Sequence, residues 1–225
     1  VVSSIQTSLV MYAIYKFGSE KQRLKYLPKL AAGELLGSFG LSEPSFGSNP
    51  SAMHTYFREE GDKIVINGSK MWIGNATAAD IAIVWAKNPS GKVQGLIVET
   101  ENITNFTTTV IKEKWSFRAS KTGELVFSDS VISKDQILAE STSIKDAYQC
   151  LNIGRYAVAW GSVGIALECY ETALSYSLER LQFGEPIASK QLIQKKLTDM
   201  ITEITKAQCL NYQLGVLMDN GKARF

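Results

Sequence analysis

The hydrophobic period of this chain changes twice, and the order of those changes limits what it can fold into. Residues 1–17 place apolar side chains at helical spacing, the pattern alternates with period two from Leu35, and two long helical patterns follow after about Val131. There is no internal repeat, no low-complexity stretch and no obvious flexible linker. The order predicts an α+β protein: a helical N-terminal part over 1–34, a middle β domain over 35–138, and the first part of a C-terminal helical domain over 139–225. With 45% hydrophobic residues the chain has material for a substantial core.

Local punctuation refines the elements. Gly18 ends the first helix, and Ser19 caps a second whose first turn holds Glu20. Pro28 is expected to break or restart that helix, and Gly33 closes it. Turn signals come at 60–62, 67–68, 88–91, 121–123 and 128–129, with Asn67-Gly68 the strongest hairpin signal, since a tight primed turn needs positive φ at both central residues. The late helices are expected over 144–181 and 189–218, antiparallel and joined by the short turn QFGEP, with Asn220-Gly221 closing the second. Gly154, Gly161 and Gly164 interrupt an apolar helical stripe and predict a close helix crossing there.

Composition removes several classes of function. The balance of 24 basic against 22 acidic residues, net +2, gives no nucleic-acid footprint. Lys21, Arg23, Lys25 and Lys29 resemble a basic patch but suit a solvated helix face. Cys150, Cys169 and Cys209 lie far apart in apolar helical stretches, which predicts buried free thiols in a reducing compartment, cytoplasmic or an organelle matrix. No apolar run is long enough to span a bilayer, and residues 1–10 lack the features of a signal peptide. The lone His54, expected on a surface strand, leaves no metal cluster and no hydrolase triad.

Two segments carry the chemistry. LSEPSFGSNP, Leu41 to Pro50, puts Gly47 and Ser48 in a turn whose N–H groups and hydroxyl can cradle a phosphate or a polar ring edge. MWIGN, Met71 to Asn75, sets the indole of Trp72 beside Gly74, which has no side chain. A stacking face, a polar edge and bare backbone together suit a flat aromatic cofactor such as a flavin. By pattern alone Trp72 reads first as a core aromatic in a strand and only second as a platform, while Arg180 is equally compatible with a simple helix-end cation and Arg155 with an exposed helix edge.

Longer stretches carry a resemblance. They are residues 8–53 beginning SLVMYAIYKFGSEKQRLKYLP, INGSKMWIGN at 66–75, LNIGRYAVAWGSVG at 151–164 and RLQFGEPIASKQLIQKKLTDM at 180–200. In these the chain resembles the flavin-dependent acyl-CoA dehydrogenases, and among them is most similar to glutaryl-CoA dehydrogenases. The resemblance implies FAD as cofactor and dehydrogenation of a short-chain or dicarboxylic acyl-CoA to the enoyl-CoA, with hydride passing to the flavin. It implies that Phe39, Leu41, Ser42, Gly47 and Ser48 line the flavin and the pantetheine end of the substrate, and that Trp72 and Ile73 pack on the ring. Arg180, Gln182 and Phe183 match the motif that reaches the FAD of an adjacent subunit, and Ser4, Asn152 and Arg155 match positions near the acyl-CoA. A homotetramer and an electron-transfer flavoprotein partner are implied as well.

The chain departs from that family in two ways. The glutamate that removes the α-proton is expected beyond Phe225, and the arginine that pairs with a distal substrate carboxylate is expected before Val1. Without the base the 225 residues would form a non-catalytic FAD or acyl-CoA binding module, so a longer enzyme is expected around them. The second departure is Gly74, where most of these dehydrogenases carry a threonine that donates to flavin N5. A gap there is expected to leave room for dioxygen and opens an oxidase alternative.

Overall fold

A computed structural model describes Val2–Ala223; Val1, the expected start of the first helix, and Phe225 lie outside the described residues. The chain divides into two compact units, Val1–Gly154 and Arg155–Phe225.

The first unit opens with helix α1 (Val2–Ser4), continues without a break through a π-helical segment (Ile5–Met11) and ends in α2 (Tyr12–Phe17). Helix α3 (Glu20–Ala32) is capped by a reciprocal pair in which the Ser19 side chain accepts from Gln22 N–H while the Gln22 side chain accepts from Ser19 N–H. Pro28 does not break α3, contrary to expectation. Its ring costs one hydrogen bond to the Leu24 carbonyl, but Leu24 lies on the exposed side, and buried Tyr26 and Leu30 hold the helix against the core. Gly33 ends it in the left-handed region at φ +75.

Seven strands follow: β1 (Gly37–Gly40), β2 (Tyr56–Glu60), β3 (Lys63–Gly74), β4 (Ile81–Lys87), β5 (Val93–Glu99), β6 (Phe106–Val110) and β7 (Thr122–Ser133). They form one sheet in the order β1-β4-β2-β3-β7-β6, with β5 on the other edge of β4. Strand β4 reads as an unbroken apolar run because both its faces are covered. Ile81, Ile83 and Trp85 join the helices in one core cluster, while Ala82, Val84 and Ala86 join β3, β5 and β7 in another.

The expected hairpin at Asn67-Gly68 is absent. Strand β3 runs straight through it, and the β2–β3 hairpin turns instead at Gly61-Asp62, where Gly61 supplies φ +64. Ser128-Asp129 is likewise no turn but lies inside β7. The two dipeptides face each other at one irregular rung between Ile66/Gly68 and Phe127/Ser130. There the Asn67 side chain donates to Asp129 Oδ1 at 2.9 Å and accepts from Asp129 N–H at 2.9 Å. Residues that tolerate positive φ serve a bulge as well as a turn, and this one bends the sheet. Gly68 adopts φ +135, and a Cβ there would stand 2.6 Å from the Thr55 Cα.

His54 is exposed but lies in the loop before β2, with its ring edge-on to Phe46. Lys21, Arg23 and Lys25 form ion pairs with Asp135, Glu140 and Glu99 on the surface.

Helix α4 (Ile144–Glu179) begins in the first unit and runs on into the second. In the second unit it meets a small hairpin, β8 (Leu181–Gln182) and β9 (Glu185–Pro186), then α5 (Gln191–Asp219). The QFGEP turn is tight because Phe183 and Gly184 both take positive φ, +55 and +82. Tyr156, early in α4, lies against Gly215, late in α5, as antiparallel helices require.

Two expectations fail in these helices. A close crossing exists at Gly154, where a Cβ would come within 2.9 Å of Leu9 Cδ2, but at Gly161 and Gly164 nothing among the described residues would lie within 4 Å of a Cβ. Cys150 is buried, whereas Cys169 and Cys209 are exposed, because the helix faces that carry them are not covered by the described residues.

Candidate functional site

The two segments singled out in the sequence meet in the first unit. Met71 N–H donates to the Ser42 carbonyl at 2.8 Å, which joins the loop after β1 to the middle of β3. Beneath that joint lies a charge pair that neither hydrophobic period nor turn chemistry signalled. Lys70 is fully buried and donates from Nζ to Glu43 Oε1 at 2.9 Å and to the Leu41 carbonyl at 3.1 Å. Glu43, also buried, accepts from His54 N–H at 2.7 Å and Thr55 N–H at 2.9 Å. Burial pushes the Lys70 ammonium down to about 8 against the opposing pull of Glu43. Burial pushes the Glu43 carboxyl up, but hydrogen bonds from Thr55, Lys70 and His54 outweigh it and leave it below the ordinary carboxylate range. The sequence signal was weak, because in β3 Lys70 directly follows Asn67, Gly68 and Ser69 and so does not stand out as a lone polar residue.

Past Lys70 the β3–β7 register slips before Ile73, and Trp72 stands inside that slip at φ +64 with 58% of its surface exposed. A core aromatic would be covered and unstrained, so Trp72 is not the core aromatic that the strand pattern suggested. Asn75, at φ +63 and buried, donates to the Gly37 carbonyl at 3.1 Å and pins the end of the segment to β1.

Gly47 and Ser48 are exposed on the neighbouring loop, and among the described residues their N–H groups donate to no acceptor. Among the described residues a Cβ at Gly47 would meet nothing within 4 Å, so the space beside this loop is open. Ser42 is half-buried beside them. Phe39, Leu41 and Ile73 sit differently: their side chains are buried in the two core clusters, Phe39 against Trp85 at 6.1 Å. Only their backbone is left to face a ligand.

Ser4, half-buried, leads into the π-helical segment, which a set of glycines receives. A Cβ at Gly74 would lie 2.3 Å from Ile5 Cδ1, one at Gly37 2.6 Å from Val10 Cγ1, and the Gly154 contact with Leu9 is the third. The gap expected at Gly74 is therefore filled from within the chain. Gln6 fixes the segment by donating to the Leu30 and Leu35 carbonyls, at 3.0 and 2.7 Å, and accepting from Gly37 N–H at 2.8 Å. π-Helical turns of this kind gather at functional sites. Asn152 is half-buried on the first-unit end of α4.

The remaining expected residues belong to the second unit. Arg155 is exposed on α4. Arg180 follows the last turn of α4, its carbonyl accepting from Ile187 N–H at 2.9 Å across the hairpin. Gln182 is exposed, and Phe183 projects from the turn with 93% of its surface free.

The exposed Trp72 and the open Gly47-Ser48 loop belong to one unit that combines helices with a sheet, and comparison with known proteins gives the family. Models of the acyl-CoA dehydrogenase N-terminal, middle and C-terminal domains match residues 1–34, 38–130 and 144–224. The chain belongs to the acyl-CoA dehydrogenase family. It is 36% identical over 216 residues to glutaryl-CoA dehydrogenase of Desulfococcus multivorans, covering 94% of this chain and 55% of that one. It is also 36% identical over 226 residues to the human mitochondrial short-chain specific acyl-CoA dehydrogenase, covering 99% and 55%. Among solved structures, a glutaryl-CoA dehydrogenase from Mycobacterium smegmatis in complex with FADH2 superposes with a TM-score of 0.95 at 39% identity, over 99% of this chain and 57% of that one. The chain thus spans little more than half the length of the relatives it matches. Among the described residues no cluster of His, Cys, Asp or Glu could hold a metal, and no helix is long and apolar enough to cross a membrane.

Proposed function

We propose that this chain holds FAD and, in the full-length protein, catalyses the α,β-dehydrogenation of a short-chain or dicarboxylic, glutaryl-like acyl-CoA. The observation that carries the reading is that the strand bearing an exposed Trp72 at positive φ is tied, by Met71 N–H to the Ser42 carbonyl, to the loop that bears the open N–H groups of Gly47 and Ser48. The residues fit the group: a planar ring needs a face, which Trp72 offers, and its rim and pyrophosphate need donors, which the Leu41–Ser48 loop offers through Ser42, Gly47 and Ser48. Phe39, Leu41 and Ile73 would take part through backbone groups, and Gly74 would border the ring. The FADH2 complex of the mycobacterial relative supports the cofactor. FAD supplies the acceptor for the hydride that leaves the β-carbon.

Glu43 is not the base for the α-proton, because its oxygens are committed to Lys70 and to two backbone N–H groups. That role falls to a carboxylate outside this buried pair, in line with a glutamate from the remaining length of the protein. Ser4, Asn152 and Arg155 would hold the acyl-CoA. Arg180, Gln182 and Phe183 would reach the FAD of an adjacent subunit in a homotetramer, a reading supported by the exposure of Phe183 on a tight turn; a planar guanidinium at Arg180 suits a pyrophosphate. An electron-transfer flavoprotein would take the electrons onward.

The test is anaerobic titration of the purified, full-length, yellow protein with glutaryl-CoA and butyryl-CoA. Loss of the flavin absorbance is expected with at least one of them. Bound flavin that no acyl-CoA bleaches overturns the dehydrogenase reading and leaves a binding module.

A further inference from the structure

We propose that Ile5 is an acceptor-specificity residue: its terminal methyl closes the space that Gly74 leaves beside the flavin and so keeps dioxygen from the reduced ring. This rests on the FAD reading above. Gly74 lies two residues from Trp72 at the end of β3, and in the FAD reading it borders the ring that Trp72 would carry. Glycine there opens a space about the size of a methyl group, large enough to admit a diatomic molecule to the ring edge. Ile5 occupies that space, with Cδ1 2.3 Å from the position a Cβ would take and Cγ1 3.6 Å from it.

Ile5 is also held in place. Gln6 ties its segment to α3, to the loop after it and to β1 by one hydrogen bond each, and Val10 and Leu9 are seated against Gly37 and Gly154. The plug is apolar, so it offers no charge to a developing peroxide. The buried cation in this part of the unit, Lys70, is already neutralised by Glu43. The step that Ile5 restrains is balanced as follows: the reduced flavin gives dioxygen two electrons and one proton, solvent gives the second proton, the O–O bond is kept, and oxidised flavin and hydrogen peroxide result.

The experiment uses the full-length flavoprotein reduced with dithionite, so that no acyl-CoA is needed, and follows the return of flavin absorbance after mixing with air-saturated buffer. Reoxidation of Ile5→Ala is expected to be at least about tenfold faster than in the parent protein. In Ile5→Ala/Gly74→Ala the new methyl at position 74 refills the space, and the rate returns towards that of the parent. Thermal unfolding supplies a readout that needs no turnover: Gly74→Ala alone lowers Tm, and adding Ile5→Ala reverses the loss instead of deepening it. An unchanged reoxidation rate in Ile5→Ala, or additive Tm losses in the double variant, overturns the proposal. Protein that purifies without flavin refutes the FAD reading itself, a separate failure, and the Tm cycle then still decides the Ile5–Gly74 contact.

Discussion

Glycine is put to opposite uses in the two units. In the first, Gly37, Gly74 and Gly154 stand where a side chain would collide with Val10, Ile5 and Leu9, and Gly68 stands where it would strike the Thr55 backbone. In the second, Gly161 and Gly164 face open space among the described residues, and Gly215 is approached by Tyr156 Oη. Apolar burial divides the same way. Among the described residues, Val163 and Ile204 are the buried hydrophobic residues of the second unit, while Val158, Ile165, Leu210 and Tyr212 are exposed there. The first unit encloses its own core and uses small residues to bring backbone and side chain together. The second carries a similar small-residue pattern, of which only Gly215 is met by a side chain, that of Tyr156, among the described residues. A glycine in an apolar stretch records that something approaches closely, but the sequence does not say what.

The largest effect that tests this contrast is expected at the buried charge. Lys70→Met leaves Glu43 buried without its cation and should cost about 3–5 kcal/mol in denaturant unfolding, with part recovered in Lys70→Met/Glu43→Gln. The corresponding substitution Lys195→Met in the second unit breaks an exposed pair with Asp199 and should cost about 0.5 kcal/mol or less. The acid limb gives the same comparison a pH signature. Because the folded Glu43 carboxyl lies below its ordinary value near 4.5, the unfolded chain binds the proton more tightly. The stability it contributes is present above that value and is lost as pH falls through the lower folded one. Glu43→Gln should flatten this limb, and an unchanged acid limb would break the argument.

A smaller effect, opposite in sign between the units, is expected at glycine itself. Gly68→Ala imposes a Cβ at φ +135 and against the Thr55 backbone, and should cost about 1–3 kcal/mol. Gly164→Ala places the same methyl in open space within a helix and should gain up to about 1 kcal/mol. Equal losses at both positions, read from paired urea titrations of the 225-residue chain, would abolish the distinction.

These positions also mark how far the sequence could be read. The helix, sheet and helix order, the ends of α4 and α5 and the cap at Ser19 were legible because each follows from a local period or a local hydrogen bond. Asn67-Gly68 and Ser128-Asp129 misled because positive φ is a property of a residue, while turn or bulge depends on a partner strand some sixty positions away. Pro28 misled because tertiary packing at Tyr26 and Leu30 overrode a local penalty. At the site, LSEPSFGSNP and MWIGN were visible as motifs, but the exposure and positive φ of Trp72 were not, since by pattern alone it read first as a core aromatic. Lys70 with Glu43, and Ile5 with Gly74, were not visible, since each is a contact between segments distant in sequence and neither partner breaks a local rule strongly enough to be noticed.

The gentlest probe of the contrast between the units is thiol chemistry. Cys150, in the first unit, is buried beside Asp146, and burial, followed by that charge, pushes its thiol up to about 12. Reactivity requires thiolate and access together, and Cys150 lacks both. Cys169 and Cys209 in the second unit are exposed. Titration of the native 225-residue chain with an aromatic disulfide should therefore modify Cys169 and Cys209 promptly and Cys150 only on unfolding. Repeating it on the full-length protein sharpens the comparison: slowed modification of Cys169 or Cys209 would place those helix faces under the remaining length or a neighbouring subunit. Prompt modification of Cys150 in either form would mean that the core of the first unit is not closed, and the contrast between the units would fail at its stronger end.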